Sequence, residues 1–198
     1  MADMISGQKN FLGIPVAKPR VAFFDLSYCE GFQLQILNNE ATLLDFLSLV
    51  QIVNFREAMT EKSDDYDIAF VEGSVTRKDE VERLKNIRQN AKVLVALGSC
   101  ACFGGVNQLK NRFDLAWVKR EVYGNSPIDT DNAQPLEDFV PIDLRIYGCP
   151  VRKEEVEKIV TNLVINKEIH HPRYPVCMEC KANENICLFD LGEPCLGP

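Results

Sequence analysis

Eight cysteines stand in this chain of 198 residues, and their spacing divides them into two groups. Cys177, Cys180, Cys187 and Cys195 crowd the C-terminal stretch. Their Cys-x-x-Cys step turns two thiolates toward one centre, and two further sulfurs close a tetrad that suits an iron–sulfur cluster or zinc. An inert set of thiols is the remaining reading. Cys29, Cys100, Cys102 and Cys149 are scattered and can meet only if folding brings their loops together. Any one of them taken singly is a buried free thiol packing like a small apolar side chain. Three in loops that leave the same sheet edge argue instead for a second ligand set. Two centres favour iron–sulfur chemistry over zinc, because electron transfer profits from a second centre and a structural zinc does not.

The elements that must position these residues alternate. Val21 to Leu26 is a short apolar strand, followed at once by Cys29. Helical spacing over Gly31–Leu37 and Glu40–Leu49, broken at Asn38-Asn39, leads to a strand at Gln51–Phe55 and another at Asp67–Val71 with Glu72-Gly73-Ser74 as its exit loop. Thr76 is placed to cap a helix over Arg77–Gln89 that turns Val81, Leu84 and Ile87 to one side. Lys92–Leu97 is the next strand, and Gly98–Gly105 a small-residue loop holding Cys100 and Cys102. Residues 106–140 lack a clean period and are expected to be irregular surface that meets a partner. Asp143–Ile146 is a short strand with Gly148-Cys149-Pro150 beyond it, and Lys153–Val164 a helix with Val156, Ile159, Val160 and Leu163 inward. Repeated strand–loop–helix units predict an open, doubly wound parallel sheet, in which ligands sit beyond the carboxyl ends of the strands. The loops carrying Cys29, Glu72, Cys100 and Cys149 all leave on that edge. The glycines at 31, 98, 104, 105 and 148 would let backbone amides approach inorganic sulfide. The chain divides into a leader over 1–19, a sheet domain over 20–165 and a cysteine-rich segment over 166–198.

Composition limits the function classes. The chain is 46% hydrophobic with a formal charge of -7 and no dense block of Lys and Arg, so neither nucleic acid nor anionic lipid is an expected partner. No stretch approaches the roughly 18 apolar residues of a membrane span, and residues 1–10 lack the basic and apolar regions of a signal peptide, so a cytoplasmic location without membrane insertion is expected. No Ser-His-Asp set or general acid pair stands out, and no residue is assigned a catalytic role.

Five motifs in order carry a family resemblance: Leu26-Ser-Tyr-Cys29-Glu-Gly31, Val71-Glu-Gly-Ser74, Gly98-Ser-Cys100-Ala-x-x-Gly104-Gly105, Gly148-Cys149-Pro150, and the tail from Pro175-Val-Cys177-Met-Glu-Cys180 through Cys187 to Gly192-Glu-Pro-Cys195-Leu-Gly-Pro198. Together they resemble the small subunit of nickel–iron hydrogenases, whose relatives include the cluster-bearing small subunit of respiratory quinone reductase. The tail is most similar to the cytoplasmic sulfhydrogenase and methyl-viologen-reducing branch. The resemblance implies a flavodoxin-like domain holding a proximal [4Fe-4S] cluster against a large subunit that carries the nickel–iron centre. It also implies an electron-relay role toward a further flavin or iron–sulfur redox subunit. The alternative is a scaffold or relay subunit of a hydrogenase-derived complex that no longer activates hydrogen.

Two departures bear on the clusters. The family motif Cys-x-Gly-Cys ends here in Phe32, which cannot ligate iron. Cys102 is the provisional fourth ligand, with a three-cysteine [3Fe-4S] centre or a ligand from elsewhere as the other routes. Adjacent cysteines near position 29, expected of the quinone-reductase branch, are absent from the sequence. Family members also continue past the Gly-Glu-Pro-Cys-Leu-Gly-Pro motif into another cysteine-rich stretch, whereas the sequence in hand supplies ligands for two clusters. Glu72 reads equally as an adjuster of the amides near the proximal cluster and as a capping or solvated residue. His170 and His171 are weaker ligand candidates beside four tail cysteines.

Overall fold

The computed structural model describes residues 18–38, 43–165, 167–169 and 174–195. The expected leader lies almost wholly outside the described residues, as do His170 and His171. In chain order the first elements are β1 (Arg20–Asp25), α1 (Gly31–Leu37), α2 (Leu43–Leu49), β2 (Gln51–Phe55), β3 (Ile68–Glu72) and α3 (Lys78–Asn90). They are followed by β4 (Val93–Leu97), α4 (Gly98–Phe103), α5 (Leu115–Tyr123), β5 (Leu144–Ile146), α6 (Lys153–Val164) and α7 (Val176–Ala182). The chain divides into two compact units, residues 1–168 and 169–198.

The first unit is built on a five-stranded sheet in the order β2-β1-β3-β4-β5, with every pair parallel. Central strands must bury both faces, and the sequence supplies them: β3 and β4 are buried at every residue. Alternation sends Ala22, Phe24, Ala69, Val71, Leu94 and Ala96 into one layer, where Leu84 and Ile87 of α3 pack on them. The alternate residues turn to the opposite layer, where the Phe23 ring lies 4.8 Å from Phe55 and stacks 5.0 Å from Phe70.

Asp67 starts three strands at once. Its amide donates to Arg20 O and its carbonyl accepts from Lys92 N and Val93 N. Its buried carboxylate accepts from Arg20 N at 2.9 Å and pairs with Lys92 Nζ at 2.9 Å. The strands are thereby locked in register, with Val21 opposite Ile68 and Ile68 opposite Val93.

Four differences from the sequence reading have local causes. Residues 98–103 are helical, because Gly98 adopts a left-handed φ of +83° at the end of β4 and lets the chain turn directly into α4. Helix α3 starts at Lys78, and Glu80 in its first turn reaches back to the two residues before it: Glu80 Oε2 accepts from Thr76 N at 2.8 Å and from Arg77 N at 3.1 Å. Thr76 Oγ1 meets Ser27 Oγ at 2.5 Å instead of capping. The stretch 106–140 is partly regular, with 3-10 turns at Val106–Arg112 and Leu136–Asp138 around α5, a helix with no buried residues. Polar clasps hold it: Asn107 Nδ2 donates to Ser27 O and Ser74 Oγ, and Asn111 exchanges two hydrogen bonds with the Ala133 backbone. The cysteine-rich tail, to which the sequence reading assigns no element, forms α7.

Burial of Asp67 pushes its carboxyl up, but hydrogen bonds from Arg20 and Lys92 outweigh this and hold it below the ordinary carboxylate range. The ionised form therefore adds stability that is complete above about pH 4, the unfolded value, and is lost as pH falls through the lower folded value. Asp67→Asn is expected to lower unfolding stability by about 2 kcal/mol at neutral pH. Urea titrations should show the gap between variant and parent shrinking once pH falls below that range.

Candidate metal centre

The carboxyl ends of β1, β3, β4 and β5 lie level: Asp25 pairs with Glu72, Glu72 with Leu97, and Leu97 with Ile146. Hydrogen bonds then stitch the exit loops in pairs. Leu26 N donates to Glu72 O, and Ser27 and Ser74 exchange backbone bonds of 3.1 and 2.9 Å. Ser99 donates to Gly148 O twice, from its amide at 2.8 Å and its hydroxyl at 2.9 Å, which draws the start of α4 to the loop of Cys149.

Cys29 and Cys149 are exposed in this rim and Cys100 is buried behind them. Burial raises the Cys100 thiol pKa, and the nearby thiols of Cys149 and Cys29 and the carboxylate of Glu72 raise it further, while the Val106 amide donates to it and opposes the shift. The structure thus brings Cys29, Cys100 and Cys149 into one electrostatic neighbourhood, as the loop positions imply. Gly105 admits Cys100: at φ +58°, a Cβ there would stand 2.5 Å from Cys100 Sγ.

Cys102 is not brought to this group. Two positions along α4 turn the side chain about 200°, and the Cys102 thiol donates to Ala96 O at 3.6 Å and Ile146 O at 3.8 Å, inside the layer that holds Leu136 and Val140. Burial pushes it up to about 12, and none of the other three cysteines contributes to that shift. Phe32 is buried as a plug, its ring filling the space where a Cβ on Gly98 would meet it at 2.2 Å. The glycine at 98 therefore makes room for an aromatic ring rather than for sulfide.

Glu72, which sequence alone left between two roles, is almost completely buried at the end of β3. Its Oε1 accepts the Phe32 amide at 3.5 Å, and the Gln33 amide also donates to the carboxylate. Burial pushes its pKa up to about 7 against those hydrogen bonds, with Asp25 and Glu30 adding to the rise.

In the second unit, Cys177 and Cys180 lie three residues apart on α7 and so share one helix face. Cys187 caps the 3-10 turn Leu188–Leu191, and Cys195 follows the left-handed Gly192. Among the described residues no three His, Cys, Asp or Glu side chains converge closely enough to hold a single metal ion. An iron–sulfur cluster needs its ligands farther apart, one at each iron, and the donor set in each unit is the thiolate-rich one that such clusters take.

Comparison with known proteins shows the family. Residues 29–163 match the family described as NADH ubiquinone oxidoreductase, 20 Kd subunit. The chain is 38% identical over 183 residues to sulfhydrogenase 2 subunit delta of Pyrococcus furiosus, covering 90% of this chain and 76% of the relative. It is 29% identical over 175 residues to the delta subunit of the NAD-reducing hydrogenase HoxS of Cupriavidus necator, covering 78% and 83% of the two chains. Among solved structures, a chain of an NAD+-reducing [NiFe]-hydrogenase in the H2-reduced state superposes with a TM-score of 0.72 at 26% identity, over 79% of this chain and 96% of that one. With the family match covering β2 to β5 and reaching from Cys29 past Cys149, and a relative 38% identical over most of the chain, this chain belongs to the hydrogenase small and delta subunits that share the 20 Kd quinone-oxidoreductase domain.

Proposed function

We propose that this chain is the electron-transfer subunit of a hydrogenase-like complex, relaying electrons between a large subunit's hydrogen-activating centre and a further flavin or iron–sulfur subunit. The observation that carries this reading is the proximity of Cys29, Cys100 and Cys149 at the carboxyl edge of the sheet, two of them exposed and one buried. The strand order β2-β1-β3-β4-β5 supports a flavodoxin-like assignment of the body. In this reading the three rim cysteines hold a proximal cluster, Cys177, Cys180, Cys187 and Cys195 hold a second, and nickel resides in the partner. Bound clusters would supply one-electron redox steps. The chain's own part is to present thiolates, to seal the inner side of the site with Phe32 and Cys100, and to leave the outer side for a partner to close.

The rim supports such a partner. Phe103, at the end of α4, and Tyr147, just before Gly148-Cys149, stack at 5.3 Å while both remain about half exposed. Burying exposed aromatics of this kind is what gives an interface its anchors. No helix among the described residues is long and apolar enough to cross a membrane, and the eight cysteines are free thiols; both support a place among cytoplasmic hydrogenase subunits.

Anaerobically reconstituted full chain should carry about eight irons with matching sulfide if both clusters form. Cys149→Ser should remove the proximal signal in low-temperature EPR, and Cys180→Ser the other. Unchanged iron in either variant overturns the corresponding assignment. Cys102→Ala, by contrast, should leave iron content at the parental level while lowering stability by about 1 kcal/mol through the loss of a packed core thiol. A drop in iron on this substitution would return Cys102 to the ligand set.

A further inference from the structure

Three rim cysteines leave a four-iron cluster one protein ligand short, and the residue at the fourth position of the motif, Phe32, is an apolar plug. The nearest chemistry to that position is Glu72. Its Oε1 accepts the Phe32 amide at 3.5 Å and the Gln33 amide also donates to the carboxylate, which is thereby fixed against the very turn that lacks a thiolate. Its other oxygen, Oε2, is fully buried and has no hydrogen-bond partner among the described residues. An unpartnered carboxylate oxygen inside a protein costs several kcal/mol unless something binds it. Glu72 also lies within electrostatic reach of Cys100, which in turn feels Cys29 and Cys149, so the four groups are neighbours at this rim.

We propose that Glu72 supplies the fourth protein ligand of the cluster held by Cys29, Cys100 and Cys149, with Oε2 taking the iron that a cysteine at position 32 would have bound. The proposal rests on the rim cysteines holding a cluster. The amide hydrogen bonds to the carboxylate play the part of the outer partners that orient metal-ligating carboxylates, leaving Oε2 to bind. Ligation requires the ionised carboxylate, so its proton leaves to solvent as the metal enters and the cluster's positive iron offsets the cost of burying the charge. A carboxylate is a harder ligand than a thiolate. The cluster therefore contains one oxygen-ligated iron distinct from the other three.

Mössbauer spectroscopy and iron analysis of the reconstituted full chain test this directly. The parent should show one iron of the rim cluster with the higher isomer shift of an oxygen-ligated site. Glu72→Gln preserves size and the acceptor for the Phe32 amide but is a far poorer iron ligand. It should lose that site and one iron per chain, and display the EPR signal of an oxidised three-iron cluster. Adding Phe32→Cys to Glu72→Gln should restore the fourth iron, now with a thiolate-type shift, in protein whose circular dichroism matches the parent. A Glu72→Gln variant with the parent's iron content and Mössbauer spectrum overturns the proposal, and so does a folded double variant that stays three-iron. Cys149→Ser separates the two claims: if it too leaves iron and spectra unchanged, the rim holds no cluster and the site assignment has failed before Glu72 enters.

Discussion

The register of the central strands is the constraint on which the site depends. Asp67 ties the starts of β1, β3 and β4 together through its backbone and its carboxylate, and the strands then run in step to Asp25, Glu72 and Leu97. Because every pairing is parallel, strands that begin level end level, and the loops beyond them open onto one rim. A one-residue slip would turn each strand's side chains to the opposite face. It would also move Glu72 away from the α1 amides and break the paired bridge between Ser27 and Ser74. The separation in sequence between Cys29 and Cys149 is thus closed by geometry fixed at the far edge of the sheet.

The rim gathers groups that are anionic when ionised: three thiols, Glu72, Glu30 and Asp25. The arginines close to it are already committed, since Arg56 pairs with Asp25 at 2.8 Å and Arg83 donates to Asp25 O at 2.6 Å. The raised values at Cys100 and Glu72 follow from this uncompensated burial. A site of this kind is poised for a cation rather than for an anionic ligand such as a phosphate, which would meet only further repulsion.

Much of this was legible in the sequence, and the omissions have physical reasons. The apolar runs at Val21–Leu26 and Lys92–Leu97 could only be buried strands, and the observed β1 and β4 differ from them by a residue or two at their ends. Cysteines just past such runs had to lie at the rim. The direction of Cys102 was hidden, because a run of small residues carries no helical period and its place opposite Cys100 appears only once α4 is formed. The setting of Glu72 was hidden for another reason. Its burial is made by Phe32 and α1, forty residues earlier in the chain, and no local pattern around Val71-Glu-Gly-Ser74 encodes that contact.

The segment from Val106 through α5 is joined to the body by asparagine clasps, while its helix buries no residue. Opening such a segment exposes little apolar surface, so it changes heat capacity and denaturant sensitivity only slightly. Its amides are accordingly expected to exchange with solvent through local openings that leave the sheet intact. Leu109, Phe113 and Trp117, each about half exposed, give a docking protein the apolar surface that would close those openings. Completion of this segment is then an event of assembly rather than of folding, and its amide protection becomes a direct gauge of whether the complex has formed.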